Sequence, residues 1–368
     1  MLHPQLLYQI ALTLVPNVGC VRAKLLLAQY NYDVESIFKA KAKDLAAIEG
    51  VGEMVAKSIK KFDDYATAEN EMSYIEKHGI TPLFINDTTY PKRLLNAYDS
   101  PTMLYYKGQA NLNHSKIIAI VGTRSNTEYG KKCTDQLIAD LAPLQPLILS
   151  GLAYGIDVIA HKAAIKYKLP TVGVLAHGLH KIYPPDHTKL AYDMVDGTGG
   201  ILTEYRHDAA PDRHNFPTRN RIVAAMADAT IVIETDVKGG SMITAELANA
   251  YNKEVYALPG KCTDAKSAGC NQLIKHKKAQ LITQASDIIE SMGWHSTKVK
   301  PKQQRSLFID LTPNEHTIIN ILQQVDSIHI DELQHTSQLT SGAVASALLT
   351  LELNAVIATL PGKVIKLL

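Results

Sequence analysis

Ile117-Ile118-Ala119-Ile120-Val121-Gly122-Thr123-Arg124-Ser125 is an apolar run that stops at a glycine and continues in small polar residues. The pattern returns downstream. Leu147 to Leu149 leads into Ser150-Gly151-Leu152-Ala153-Tyr154-Gly155, and Val172 to Leu175 into Ala176-His177-Gly178-Leu179-His180. Gly200 to Thr203 precedes Glu204, Ile231 to Ile233 precedes Glu234 and Lys238-Gly239-Gly240-Ser241, and Val255 to Leu258 precedes Pro259-Gly260. Segments of helical period, Ile156 to Lys168 and Ser241 to Tyr251, lie between some of these runs. Short apolar runs alternating with helices read as parallel strands buried on both faces. Residues 113–292 are therefore expected to form an α/β domain with a doubly wound, mostly parallel, Rossmann-like sheet.

Residues 1–66 read as short helices with two similar junctions. Pro16-Asn17-Val18-Gly19 and Glu49-Gly50-Val51-Gly52 each precede a helical segment. This resembles a tandem helix-hairpin-helix (SAM-like) domain, which either offers backbone N–H groups to a DNA phosphate or serves only as a packing unit. Residues 67–112 read as an extension into the sheet domain, with strand candidates Leu83 to Ile85 and Met103 to Tyr106. A basic linker, 293–308, carries Lys298, Lys300, Lys302 and Arg305. In 309–368, three helical segments and a hairpin around Pro361-Gly362 resemble a winged helix.

With 46% hydrophobic and 20% charged residues, the chain is not wholly disordered. The net charge of +2 gives no global basic field, so a nucleic-acid surface must be a local patch. Cys20, Cys133, Cys262 and Cys270 form no CxxC pair, which disfavours a disulfide framework or structural zinc and fits a reducing compartment. No apolar run reaches about 18 residues and the N-terminus lacks the basic head of a signal peptide. A cytoplasmic location without membrane contact is expected.

In an open parallel sheet, ligands bind at the carboxyl ends of the strands. Glycines crowd that rim here, and the turns at Gly155 and Ser241 run into helices, whose free N–H groups suit phosphate. The loops lack both the GxxxxGK[ST] and the GxGxxG patterns, so neither a P-loop ATPase nor a dinucleotide enzyme is indicated. Arg206 to Arg221 holds Arg206, Arg213, Arg219 and Arg221 with Phe216 interleaved. Cations for a backbone and a ring for a base are what a single-stranded nucleic acid groove uses. Arg213 and Phe216 are expected at the surface, whereas Arg221 either grips DNA or pins the next helix from inside.

His177 and His180 lack a placed carboxylate or cysteine partner, so no metal is expected. Ser150 has no glycine two positions before it and is no nucleophile elbow. Asp157 and His161, at i and i+4, read as structural contacts near the glycine turn rather than as an acid/base pair. Gly239, Gly240, Thr244 and Glu246 match only in part the signature of phosphoribohydrolases that process nucleotides. That enzyme is the alternative reading.

Together the motifs resemble those of the DNA-processing protein A family, also called DprA or Smf. They are Val-Gly-Thr-Arg (121–124), Ser-Gly-Leu-Ala-x-Gly-Ile-Asp-x-x-Ala-His (150–161), Tyr-Pro (183–184), Phe-Pro-x-Arg-Asn-Arg-Ile-Val-Ala (216–224), Gly-Gly-Ser-Met-Ile-Thr-Ala (239–245), Leu-Pro-Gly (258–260) and Ser-Ala-Gly-Cys-Asn-Gln-Leu-Ile (267–274). The resemblance implies a non-enzymatic protein that binds and protects single-stranded DNA, dimerises through its Rossmann-like domain and loads the recombinase RecA during natural transformation. It implies no cofactor. It carries DNA contact onto Arg124, Arg213 and Phe216. One departure is the third-strand loop, where the family's Gly-x-Gly-Leu-Asp is Ala176-His177-Gly178-Leu179-His180 and His187 follows where asparagine is common. The expected DNA-facing set is Gly122, Arg124, Ser150, Gly151, Gly155, Lys181, Arg213, Phe216, Arg219, Asn220, Arg221, Gly239, Gly240 and Ser241.

Overall fold

A computed structural model describes residues 4–294, 311–354 and 356–368. Most of the expected basic linker, His295 onward, lies outside the described residues.

The chain begins with helices α1 (Pro4–Leu14), α2 (Cys20–Gln29), α3 (Val34–Lys39), α4 (Ala42–Ala46), α5 (Gly52–Lys61) and α6 (Tyr65–His78). The two expected hairpins are present. Asn17 stands where the second hairpin has Gly50, and both take positive φ, 66° and 82°. Asparagine tolerates that region, which explains how the first hairpin survives without its glycine.

α6 runs through the boundary expected at residue 66 and ends at Gly79, whose φ of 61° closes the helix. The extension after it is part of the sheet. β1 (Thr81–Phe84) pairs antiparallel with β2 (Met103–Gly108), which pairs antiparallel with a strand about a hundred residues further on.

The parallel strands are β3 (Ile117–Val121), β4 (Leu147–Ser150), β5 (Thr171–Val174), β6 (Gly200–Thr203), β7 (Ala229–Val232), β8 (Glu254–Ala257) and β9 (Gln280–Leu281). The nine-stranded order is β1-β2-β6-β5-β4-β3-β7-β8-β9. Helices α7 (Glu128–Leu141), α8 (Ile156–Lys166), α9 (Thr188–Asp196), α10 (Asn215–Met226), α11 (Gly240–Ala250), α12 (Ala268–Lys275) and α13 (Ala285–Ser291) complete the domain. Along β3, Ile117, Ala119 and Val121 enter the core on one face, and Ile118 and Ile120 enter the core on the other. This is the burial on both faces that the uninterrupted apolar run requires.

The winged helix comprises α14 (Pro313–Leu322), β10 (Ile328–His329), α15 (Ile330–Ser337), α16 (Ser341–Leu353), β11 (Ile357–Leu360) and β12 (Val364–Leu367). It is docked on the body through α15, where Asp331 accepts a 2.5 Å ion pair from the buried Lys253. No helix among the described residues is long and apolar enough to cross a membrane.

Candidate nucleic-acid interface

The strand order reverses at β3. β4 lies on one side of it and β7, reached much later in the chain, on the other. Loops leaving two such neighbours diverge and open a crevice at the carboxyl ends. A cleft of about 680 Å³ occupies that place, between the loops after β3, β4 and β7 and the first turns of α10 and α11.

Arg219 forms part of its wall. The side chain is only 4% exposed, and its guanidinium donates to the Val174 carbonyl at the end of β5. It lies flat against Gly151, where a Cβ would collide with both terminal nitrogens. Burial pushes its pKa down to about 10, while the nearby Asp157 charge opposes that shift. Asp157 accepts the Gly151 N–H at 3.0 Å and the Ala153 N–H at 3.4 Å. Burial raises its carboxyl from the usual range, and the Arg219 charge works against that rise. Asp157 is thus the structural brace of the glycine turn, as its place beside that turn implies.

At the mouth, the exposed Arg124 guanidinium sits 5.2 Å from the centre of the Phe216 ring, within cation–π range. Tyr183, 44% exposed, adds a second ring 6.1 Å from Phe216. Arg213, also exposed, stands one turn before Phe216. The backbone N–H groups of Gly122, Gly240 and Ser241 have no acceptor among the described residues. The cleft thus joins cations, two aromatic faces and open backbone donors.

Helical phase explains which residues of α10 take part. Phe216, Arg219, Asn220 and Val223 share one face at i, i+3, i+4 and i+7, and all line the cleft. Arg221 is about 200° round from Arg219 and points elsewhere. It forms an ion pair with the half-buried Glu204, so of its two readings the structure favours the internal one.

Other members of the expected set also fall outside the cleft lining. Ser150 is fully buried and donates to the Ile120 carbonyl at 2.6 Å, because strand alternation turns it into the core. Gly155 packs its α-carbon on the Thr123 carbonyl, which also takes the Ile156 N–H at 3.2 Å. The N-terminus of α8 is therefore engaged by protein. The N–H groups of Gly151 and Gly239 are likewise used, the latter by the Asp236 carbonyl at 2.9 Å. Lys181 is exposed beyond the cleft lining.

Tyr183 was missing from the expected set. The aromatic-proline step after the third-strand loop is the signal that marks it. In the third-strand loop, His180 stands where the family has aspartate and its ring bonds the His207 carbonyl, while His177, at the variable position, braces the loop. Its Nδ1 faces the Gly178 carbonyl at 2.8 Å and its Nε2 accepts the Tyr183 N–H at 3.3 Å. Glu246, the glutamate of the partial phosphoribohydrolase motif, does not line the cleft and pairs with Lys278 at 3.1 Å.

A doubly wound sheet with this cleft, flanked by a helix-hairpin-helix region and a winged helix, defines a class of DNA-associated proteins. The family model for DNA recombination-mediator protein A matches residues 81–293. The DprA winged helix domain matches 302–363 and a helix-hairpin-helix motif matches 9–71. The chain is 31% identical to Protein Smf of Synechocystis sp. over 96% of this chain and 97% of that one. The chain belongs to the DprA/Smf family. Its fold matches that of DprA from Streptococcus pneumoniae with a TM-score of 0.65 and 32% identity, over 77% of this chain and 95% of that one. DprA from Helicobacter pylori, a structure described for its single-stranded DNA binding mode, matches with a TM-score of 0.51 and 33% identity, over 57% and 94%.

Proposed function

We propose that the chain binds single-stranded DNA in the cleft at the strand ends, without chemistry on the DNA, and passes the strand to RecA as a dimer joined through its sheet domain. The observation that carries the DNA reading is the Arg124 guanidinium set 5.2 Å over the Phe216 ring at the cleft mouth. A base stacks on such a ring whatever its identity, and the arginines neutralise the backbone. The open N–H groups of Gly122, Gly240 and Ser241 take phosphate oxygens. The H. pylori relative supports the ligand, and the family's designation as a recombination mediator supports the handover to RecA. Two joined clefts would hold one strand more tightly than either alone.

The experiment is a salt-titrated binding assay with labelled oligothymidine and the matching duplex, on the wild type and Arg124→Ala. The reading requires preference for the single strand, affinity that falls as salt rises, and a large loss in the variant. Weak, salt-insensitive binding that the substitution leaves unchanged would refute it.

A further inference from the structure

We propose that Glu71 and His207 form a clasp by which the N-terminal helices position Arg213 in the DNA cleft; the inference rests on the single-stranded DNA reading above. The segment from Tyr205 to His214 joins β6 to α10 and carries Pro211 and Arg213 to the cleft. Its far end is fixed by α10, where Asp212 begins the turn that starts the helix: its carboxylate accepts the His214 N–H at 2.8 Å. Its near end has no strand or helix of its own and is held from outside.

The hold comes from α6. Glu71 is 2% exposed, and its carboxylate accepts the His207 backbone N–H at 3.0 Å and faces the His207 Nδ1 at 2.5 Å. One buried carboxylate thus grips both the backbone and the ring of one loop residue. The ring is gripped a second time. Tyr74, one turn along α6, stacks on His207 at 4.0 Å with 13° between planes, and His78 stacks on Tyr74 at 4.0 Å. From beneath, the Gly178 N–H donates to the Ala209 carbonyl at 2.9 Å and the His180 ring bonds the His207 carbonyl.

Glu71 is a charge taken out of water, and burying it is favourable only while these partners remain. Asp208 also comes near, but it pairs with Arg206 at 3.3 Å, so the cluster is closed by its own contacts and is not a vacant metal site. The physical consequence is a fixed path for the loop. Released at His207, the loop would sample many positions, and Arg213 would lose entropy on each binding event. Glu71 and His207 are positioning residues, since they act through Arg213.

The test uses the full chain in a double-substitution cycle: wild type, His207→Ala, Arg213→Ala and the pair, titrated with labelled oligothymidine. His207→Ala should weaken binding about threefold to tenfold, and should add almost nothing once Arg213 is gone. An equal loss in both backgrounds, or none in either, overturns the proposal. Glu71→Gln keeps an oxygen for the His207 N–H but not the charge, and should lose less than His207→Ala. Amide hydrogen exchange without DNA supplies the independent readout. Exchange should quicken across residues 206–213 in His207→Ala while the melting temperature holds, and an unaltered loop overturns the clasp even if the wild type binds DNA. Failure of the wild type to bind oligothymidine would sink the DNA reading itself, whatever the exchange shows.

Discussion

The Arg124 guanidinium lies 5.2 Å from the centre of the Phe216 ring, although 92 positions separate them in the chain. Arg124 lies in the loop after β3 and Phe216 in the first turn of α10, and they meet because both border the crevice where the strand order reverses. The ring gives the cation a seat, and the two together form one platform on the cleft lining. Phe216→Ala should cost about 1–3 kcal/mol of oligothymidine affinity, the usual worth of one stacked base. Arg124→Ala should cost a similar amount, and the double variant less than the sum, because either change dismantles one shared platform. Fluorescence anisotropy at fixed salt measures all of these values. Strict additivity would show that the residues act separately.

Gly155 contributes through Arg124 without touching the cleft. Its φ of 76° and ψ of −125° lie where only glycine is unstrained. A Cβ there would strike the Thr123 carbonyl and the Arg124 backbone, neither of which can swing aside. Gly155→Ala should therefore lower stability by about 1–3 kcal/mol from backbone strain alone. It should also weaken DNA binding at temperatures where the variant is still folded, by shifting Arg124 off Phe216. Thermal melting and anisotropy at low temperature separate the two effects. Full affinity in the folded variant would place Gly155 in a purely structural role.

What could be read from the sequence follows a physical division. The runs at Ile117 and Leu147 announced buried parallel strands because burial on both faces demands uninterrupted apolar residues. The glycines after them announced the rim because those turns need close approach. Arg219 could not be read in the same way. A basic stretch looks like a surface, and only a contact with Val174, 45 positions earlier, turns its guanidinium inward. Ser150 lies at the junction of strand and rim, where a loop glycine follows it in sequence but strand alternation still governs its side chain. The antiparallel β2–β6 pairing depends on partners as distant as Tyr106 and Leu202, which no local pattern couples. The end of α6 was legible after all, since Gly79 is the first glycine after Gly52.

Arg221 provides the contrast to Arg213. Both are arginines of one basic stretch, but Arg221 pairs with Glu204 at 11% and 15% side-chain exposure. Burial pushes the Glu204 carboxyl upward and the Arg221 charge opposes it. Removing one member of such a pair strands the other. Arg221→Ala should cost about 3–5 kcal/mol of stability. Its affinity for oligothymidine, measured where the protein is folded, should stay within about twofold of the wild type, which is the scatter expected of a residue outside the site. Arg213→Ala should do the opposite, leaving the melting temperature in place and weakening binding. The two variants, compared by urea unfolding and by anisotropy, decide whether the 206–221 stretch is one basic surface or two devices. Similar behaviour in both assays would contradict the division between an exposed Arg213 and an Arg221 paired with Glu204.

His161 sets the acid limit of the fold. It is fully buried, and its Nδ1 lies 2.7 Å from the Thr171 hydroxyl, whose own hydrogen goes to the Ile148 carbonyl at 3.0 Å. Nδ1 must therefore carry the proton, and Nε2 faces the core with no partner among the described residues. Protonating Nε2 would create a cation there with nothing to accept its hydrogen. Burial, helped by His187 and then by the Arg219 charge, accordingly lowers the pKa from 6.5 to about 3. Below pH 6.5 the unfolded chain takes up a proton that the folded chain refuses. The stability due to His161 is thus complete above pH 6.5 and is lost as pH falls toward 3, at up to about 1.4 kcal/mol per unit. His161→Leu removes the titrating group and leaves Thr171 bonded to Ile148. Unfolding free energies from urea titrations between pH 7 and 4.5 should fall less steeply for the variant than for the wild type. The gap in slope should approach about 1.4 kcal/mol per unit near the acid end. Parallel curves would mean that His161 is protonated in the folded protein, and that the core around Nε2 admits a charge after all.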